Sequence, residues 1–181
     1  MSTYIKKYII TGAPGTGKTT LVNALAENYP CVHEVSRKVI VNEQEKGRTG
    51  TPWQDMNRFA ELVYKASIVE LEANPQALFI DRSILDLTAY LQVEAKPIPL
   101  SISSFPYHDR FHRKVFFAPT WRSIYQKDEQ RLQSFEHCLE LERVLKVRYI
   151  ESGFDIVILP KDTVPIRVNF VHEFLKSGIS L

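Results

Sequence analysis

The sequence predicts an α/β domain with a mostly parallel sheet, and two observations lead to this prediction. Predicted strands and helices alternate along the chain, and the strands are short, unbroken apolar runs such as residues 77–80. Strands that are covered by helices on both faces have this composition. The length of 181 residues suits one packed domain, so we predict a single domain over 1–181.

Five apolar runs are predicted to form the strands: 8–10, 31–34, 77–80, 115–117 and 155–159. The helices predicted between and after them cover about 19–28, 37–46, 52–73, 84–93, 135–149 and 163–176. For the long third helix, Thr51 is the expected N-cap and Pro52 lies in the first turn. Residues 96–112 contain three prolines and are predicted to form an irregular loop, either a lid or a substrate loop.

Composition restricts the class of partner. The formal net charge of +2 is too small to indicate nucleic acid or an anionic membrane. The two cysteines, Cys31 and Cys138, are expected to be free thiols. No apolar run is long enough to cross a bilayer, and the expected location is therefore the cytoplasm.

A phosphate-binding motif follows the first predicted strand. Residues 12–19 read GAPGTGKT and match G-x-x-x-x-G-K-S/T at every fixed position. Glycines let successive backbone N–H groups face phosphate oxygens, and the lysine brings a positive charge to the β and γ phosphates. The residues predicted to hold the phosphates are Gly12, Ala13, Pro14, Gly15, Thr16, Gly17, Lys18, Thr19 and Thr20.

Asp81 and Arg82 directly follow the third predicted strand. Ligands of open parallel sheets gather at the carboxyl ends of the strands, so both side chains are expected at the phosphate site. Asp81 and the Thr19 hydroxyl are the predicted magnesium ligands, and Arg82 is expected to neutralise a phosphate. The alternative is that Asp81 only ends the strand and caps the next helix.

Glu34 ends the second predicted strand, with Arg37 one helical turn beyond it. A carboxylate in this place could accept the proton of an attacking hydroxyl during phosphoryl transfer. A surface ion pair between Glu34 and Arg37 is an equally good interpretation.

Three further residues are candidates for closing the site. Arg131 is predicted to reach the transferring phosphoryl group from a mobile segment, and Arg122 is predicted to stack on the nucleotide base. Pro160, after the fifth strand, is expected to lie on the other side of that base. The simpler interpretation of both arginines is a solvated charge on a helix.

Four segments together resemble a family of predicted ATPases labelled AAA-like, which is similar to the ribosylnicotinamide kinase domain of the bacterial NAD regulator and, more distantly, to nucleoside and nucleotide kinases. The segments are 12–19, 34–37, 79–86, and 121–125 followed by Arg131 and Phe135. The resemblance implies a three-layer P-loop NTPase fold with five parallel strands in the order 2-3-1-4-5. It also implies a lid at about 120–134, and Glu34 or Asp81 beside the acceptor hydroxyl and Mg²⁺.

The expected function is that of an ATP- and magnesium-dependent phosphotransferase acting on a small hydroxyl acceptor such as a nucleoside or pyridine riboside. An ATPase or nucleotide-sensing protein without an acceptor is the alternative, since the same phosphate loop would serve it. The D-x-x-G and N-K-x-D motifs of Ras-like GTPases do not occur, and this favours ATP over GTP.

Overall fold

The structure is a computed structural model that describes residues 5–125 and 134–177. Five strands form one sheet in the order β2-β3-β1-β4-β5, and every neighbouring pair is parallel. This confirms the predicted fold class and strand order. The strands are β1 (Tyr8–Thr11), β2 (Cys31–Val32), β3 (Phe79–Asp81), β4 (Lys114–Phe117) and β5 (Asp155–Ile158).

Eight α-helices and one 3₁₀ turn lie in the described parts of the chain. The helices are α1 (Lys18–Leu25), α2 (Ser36–Glu45), α3 (Met56–Ala73), α4 (Asp86–Val93), α5 (Leu100–Ser103), α6 (Tyr107–Arg110), α7 (Phe135–Glu151) and α8 (Val164–Ser177). The 3₁₀ turn covers Arg122–Ile124. No helix within 5–125 or 134–177 is long and apolar enough to span a membrane.

The core has two parts, one on each face of the sheet. Successive strand residues point to opposite faces, so Ile9 and Ile10 of β1 belong to different apolar clusters. Ile9 packs in the cluster that contains side chains of α3, α4 and α7, and Ile10 packs in the cluster of α1 and α8. Helices therefore cover both faces, which gives the predicted three layers.

The start of the long helix was predicted wrongly. Helix α3 begins at Met56, and its N-cap is Asp55, whose side chain accepts a 3.0 Å hydrogen bond from the backbone N–H of Arg58. The predicted cap, Thr51, instead closes a separate turn, since its carbonyl accepts from the N–H groups of Gln54 and Asp55. The chain leaves that turn in extended form at Asp55, which is the backbone geometry an N-cap needs.

Segment 96–112 differs from the predicted irregular loop because it contains the short helices α5 and α6. Ile102 and Tyr107 are buried, and the Tyr107 hydroxyl donates a 2.7 Å hydrogen bond to the Ile102 carbonyl. Helix α5 packs on α4, and no residue of 96–112 lines the cavity at the phosphate loop. The packing gives no support to a lid or substrate role here. The lid predicted at about 120–134 falls largely on 126–133, outside the described residues.

Candidate nucleotide-binding site

The phosphate loop connects β1 to α1, and its backbone depends on glycine at two positions. Gly12 has a φ of 143°, and a Cβ added there would lie 2.2 Å from the carbonyl oxygen of Ala118. Gly17, the N-cap of α1, has a φ of 75° in the left-handed region. Both conformations disfavour any other residue, so the loop wraps as closely as the motif predicts.

Lys18 is buried at the centre of this loop, with 4% of its surface exposed. Its ammonium donates hydrogen bonds to the Ala13 carbonyl, at 2.7 Å, and to the Thr16 hydroxyl, at 3.1 Å. Burial lowers the pKa of Lys18 to about 7, and the nearby Arg82 acts in the same direction. The ammonium therefore lacks a strong anionic partner in the loop itself, and a phosphate group would supply one.

The two predicted magnesium ligands lie together. The Thr19 hydroxyl donates a 3.0 Å hydrogen bond to Oδ2 of Asp81, while the buried Oδ1 of Asp81 has no hydrogen-bond partner. Burial raises the pKa of Asp81, and the neighbouring Glu34 raises it further. A hydroxyl beside an unsatisfied carboxylate oxygen is a donor set that suits Mg²⁺. These residues therefore fit the ion that the motif implies.

Arg82 joins the phosphate loop to the segment after β2 and to the start of α4. Its Nε donates a 2.9 Å hydrogen bond to Glu34, and its Nη1 donates to the Gly12 carbonyl at 3.1 Å and to Asp86 at 3.3 Å. The backbone of Arg82 has a φ of 68°, a conformation that costs a non-glycine residue free energy. The surrounding contacts therefore hold a strained residue in place at the edge of the site.

Glu34 pairs with Arg82, and the described contacts contain no pair between Glu34 and Arg37. Ser36 also donates a hydrogen bond to Oε1 of Glu34. Burial would raise the pKa of Glu34, but Arg82 and then Lys18 outweigh it and hold this pKa at about 2. Glu34 is therefore a carboxylate at neutral pH, and it faces the phosphate loop instead of forming the surface pair.

Asp86 and Tyr149 complete this polar network, and neither was singled out from the sequence as a site residue. Asp86 accepts hydrogen bonds from the Thr11 hydroxyl, at 2.8 Å, from the Tyr149 hydroxyl and from Arg82. The Tyr149 hydroxyl also lies 2.8 Å from the hydroxyl of Ser83. The four-residue spacing of Arg82 and Asp86 could have indicated their pairing. Nothing local distinguishes Tyr149 from an ordinary core aromatic residue on α7.

A cavity of about 710 Å³ is lined by the phosphate loop, by Glu34 and Arg82, and by a group of apolar and aromatic side chains. We call this group the apolar chamber: Ile40, Phe59, Val63, Leu87 and Tyr90. The guanidinium of Arg82 lies 5.7 Å from the centroid of the Tyr90 ring. One continuous space thus combines a phosphate loop, a charged junction and an apolar chamber.

The structure does not bring the predicted base-stacking residues to this cavity. Arg122 is largely exposed, stacks 4.5 Å from the centroid of the Phe135 ring and lies 3.7 Å from Glu136. Neither Arg122 nor Pro160 lines the cavity, whereas Thr20 does. The contact of Arg122 and Pro160 with a base therefore has no support in this geometry, and Arg131 lies outside the described residues.

Sequence neighbours of Arg122 and Pro160 line the cavity instead. The cavity near the phosphate loop is lined by Trp121 and Ile124 and by Asp162, Thr163, Val164 and Arg167. Arg167, which the sequence analysis missed, is 3% exposed and donates a 2.9 Å hydrogen bond to the Thr16 carbonyl. Its position in an amphipathic helix near the end of the chain gave no local signal of a site.

Solved structures with similar folds include two kinases and the protein NadR. Deoxyadenosine kinase from M. mycoides with bound dATP is 14% identical, with a TM-score of 0.70, and the match covers 96% of this chain and 100% of that one. NadR in complex with NR is 18% identical, with a TM-score of 0.69, covering 99% of this chain and 54% of that one. This chain therefore spans about half the length of NadR.

Thymidylate kinase from Candida albicans is 15% identical, with a TM-score of 0.61, and the match covers 97% of this chain and 93% of that one. At such identities the likeness establishes a shared fold. No curated protein matches the chain by sequence. A family model described as AAA domain matches residues 7–167, from the start of the sheet to the buried arginine of α8. The chain is a P-loop NTPase and belongs to this AAA domain family.

Proposed function

We propose that this protein is a magnesium-dependent phosphotransferase that moves the γ-phosphoryl group of ATP to a hydroxyl of a small acceptor, such as a nucleoside or pyridine riboside. One observation carries the proposal. The Glu34–Arg82 pair lies at the junction of the phosphate loop and the apolar chamber, within a single cavity. A transferase needs its donor phosphate and its acceptor on either side of such a junction.

The donor half is the phosphate loop with Lys18, Thr19 and Asp81. The positive charge of Lys18 stabilises the negative charge that develops on the oxygens of the transferring phosphoryl group. Thr19 and Asp81 would hold Mg²⁺, which when bound neutralises the β and γ phosphate oxygens. Arg82 reaches the Gly12 carbonyl, so its guanidinium lies at the edge of the same loop and adds a second cation.

The acceptor half is the apolar chamber with Glu34. Both described contacts of Glu34 go to Oε1, which leaves Oε2 to accept the acceptor hydroxyl. Transfer forms a bond between the acceptor oxygen and the γ-phosphorus and breaks the bond to the β–γ bridging oxygen. The hydroxyl proton passes to Glu34, and ADP leaves. Glu34 thus positions the hydroxyl and takes up its proton as the new bond forms.

The aromatic and aliphatic lining of the chamber suits a flat ring attached to the acceptor alcohol. Phe59 and Tyr90 offer ring surfaces, and Ile40 and Val63 exclude water. The proteins with similar folds support this choice, because two of them are a deoxyadenosine kinase and a thymidylate kinase, and NadR was solved with NR. The lack of a guanine-reading N-K-x-D motif supports ATP over GTP as the donor.

The test is a phosphoryl-transfer screen with γ-labelled ATP and Mg²⁺ against nucleosides and pyridine ribosides, run beside reactions without acceptor. We expect label on one acceptor class and little label released as free phosphate. If free phosphate is released at the same rate with and without every acceptor, the result would support the ATPase alternative and contradict the transferase. The variant Arg113→Gln is a matched control, because Arg113 pairs with Asp155 at the start of β5, away from the cavity.

A further inference from the structure

Arg167 is a buried cation that the proposed reaction does not use. It lies in α8, 3% exposed, and lines the cavity beside the phosphate loop. Its Nη1 donates a 2.9 Å hydrogen bond to the Thr16 carbonyl, and a Cβ on Gly17 would lie 2.9 Å from the same nitrogen. The guanidinium therefore lies against the loop at Thr16 and Gly17.

Within residues 5–125 and 134–177, no charge balances that of Arg167. It forms no ion pair with these residues, and its buried Nε has no hydrogen-bond partner among them. Asp162 lines the same cavity, but its described contact is a 2.7 Å hydrogen bond from the Thr163 N–H. Burial lowers the pKa of Arg167, and no neighbouring carboxylate counteracts this effect.

Arg82, which also lines the cavity, has the partners that Arg167 lacks. Arg82 is held by Glu34 at 2.9 Å and by Asp86 at 3.3 Å. A guanidinium has five N–H donors, so one bond to the Thr16 carbonyl leaves Arg167 far from satisfied. A buried cation without an anion is costly, and proteins keep such a group where a ligand completes it.

We propose that Arg167 binds a phosphate oxygen of the nucleotide, on the Thr16–Gly17 side of the phosphate loop, as a further cation in addition to Lys18 and Arg82. This inference rests on the proposed nucleotide site but not on the identity of the acceptor. The arginine fits phosphate because its planar fork can donate two hydrogen bonds to one anion. It would also tie α8 to the bound nucleotide, since the same side chain already holds the loop.

The alternative role is structural, with Arg167 serving only as a support for the Thr16 carbonyl. The variant Arg167→Gln separates the two roles because an amide N–H can still donate to that carbonyl while the charge is lost. Arg167→Lys keeps the charge but loses the planar guanidinium that can donate two hydrogen bonds to one anion. Arg113→Gln is the matched control, because Arg113 is exposed and distant from the cavity.

The experiment is calorimetric titration of the whole protein with Mg-ATP, inorganic tripolyphosphate and adenosine, run beside thermal melts. For Arg167→Gln we expect affinity for ATP and for tripolyphosphate to fall about 10- to 100-fold, as when one charged hydrogen bond is lost. Adenosine affinity should match that of the parent, and the melting temperature should be equal or higher, because the variant removes a buried charge without an anion. Arg167→Lys should recover part of the affinity for both anions, and Arg113→Gln should behave as the parent.

Two results would overturn the inference while leaving the nucleotide site intact. One is parental affinity of Arg167→Gln for both anions. The other is an equal loss for adenosine and tripolyphosphate together with a lower melting temperature, which indicates the structural role. A parent protein that binds neither ATP nor tripolyphosphate would instead contradict the proposed function itself, so the two failures are distinguishable.

Discussion

The Thr19 hydroxyl donates a 3.0 Å hydrogen bond to Oδ2 of Asp81, although 62 positions separate the two residues in the sequence. The parallel pairing of β1 with β3 sets Ile10 opposite Asp81, which brings the end of β3 beside the start of α1. Oδ1 of Asp81 remains buried without a hydrogen-bond partner. This pair is therefore where the structure best fits a divalent cation.

The variant Asp81→Asn keeps the shape and an acceptor for Thr19 but removes the charge. We expect a much higher Mg²⁺ requirement for turnover and a loss of about 2–4 kcal/mol in transition-state stabilisation. The measurement is a magnesium titration of activity beside thermal melts. An unshifted titration with a normal melting temperature would mean that Asp81 only ends the strand, and Glu34 would be the next candidate ligand.

The variant Lys18→Met removes the ammonium from the phosphate loop while keeping a long side chain in its buried position. We expect nucleotide affinity to fall below detection, because the loop then lacks its central cation. The fold should persist, since the hydrogen bond from the Thr16 hydroxyl to the Ala13 carbonyl does not involve Lys18. Calorimetry with Mg-ATP and circular dichroism check both points. Unchanged ATP affinity would argue against the whole site.

The variant Glu34→Gln should separate chemistry from nucleotide binding. We expect phosphoryl transfer to fall about 10²- to 10⁴-fold, because the acceptor hydroxyl loses its proton acceptor. Affinity for ATP should change little, since Lys18, Thr19 and Asp81, which form the proposed donor half, are unchanged in this variant. Glu72→Gln is a matched control, because Glu72 pairs with Arg110 at 3.1 Å on the surface. Equal transfer by both variants would remove Glu34 from the mechanism.

The variant Tyr149→Phe tests the buried network behind Arg82. Loss of the hydroxyl removes one donor from the buried Asp86, and we expect the free energy of unfolding to fall by about 1–3 kcal/mol. Tyr107→Phe is the comparison. The Tyr107 hydroxyl donates to the neutral Ile102 carbonyl, so its hydrogen bond should contribute less to the free energy of unfolding. Urea unfolding of both variants measures the difference. A smaller loss for Tyr149→Phe would contradict this ranking.

The side chain of Lys7, which does not line the cavity, is expected to make the free energy of unfolding depend on pH. Burial, and then Arg110, lower the pKa of Lys7 from 10.5 to about 8, although Glu72 opposes the change. Between those values the unfolded chain binds more protons than the folded one, so the free energy of unfolding should rise with pH across this window.

The variant Lys7→Met should make that rise less steep, because this side chain no longer titrates. The contribution of Lys18, whose pKa is also lowered, should remain. Urea unfolding at a series of pH values from about 8 to about 9.5 compares the slopes, below the range in which tyrosines ionise. Lys38→Met serves as the control, since Lys38 is largely exposed and pairs with Glu70 on the surface. The same slope in Lys7→Met and in the parent would show that Lys7 does not cause the effect.

The sequence by itself determined the sheet and the phosphate loop. Both depend on local features: unbroken apolar runs form strands covered on both faces, and the loop needs its glycines, lysine and threonine within eight consecutive positions. The resemblance supplied the strand order, which the structure confirmed. The start of α3 could not be predicted in the same way, because Thr51 and Asp55 are both good capping residues. In the structure Thr51 closes a separate turn, and the helix therefore begins after Asp55.

The tertiary structure decided which charges meet. Glu34 could pair with Arg37 as well as with any distant cation, and the packing of β2 beside β3 selected Arg82, 48 positions away. Arg167 reaches Thr16 across 151 positions because α8 packs on α1. Arg122, in contrast, stacks on Phe135 outside the cavity. Contacts between side chains of different elements depend on how those elements pack and turn relative to one another, and local sequence patterns do not specify that geometry.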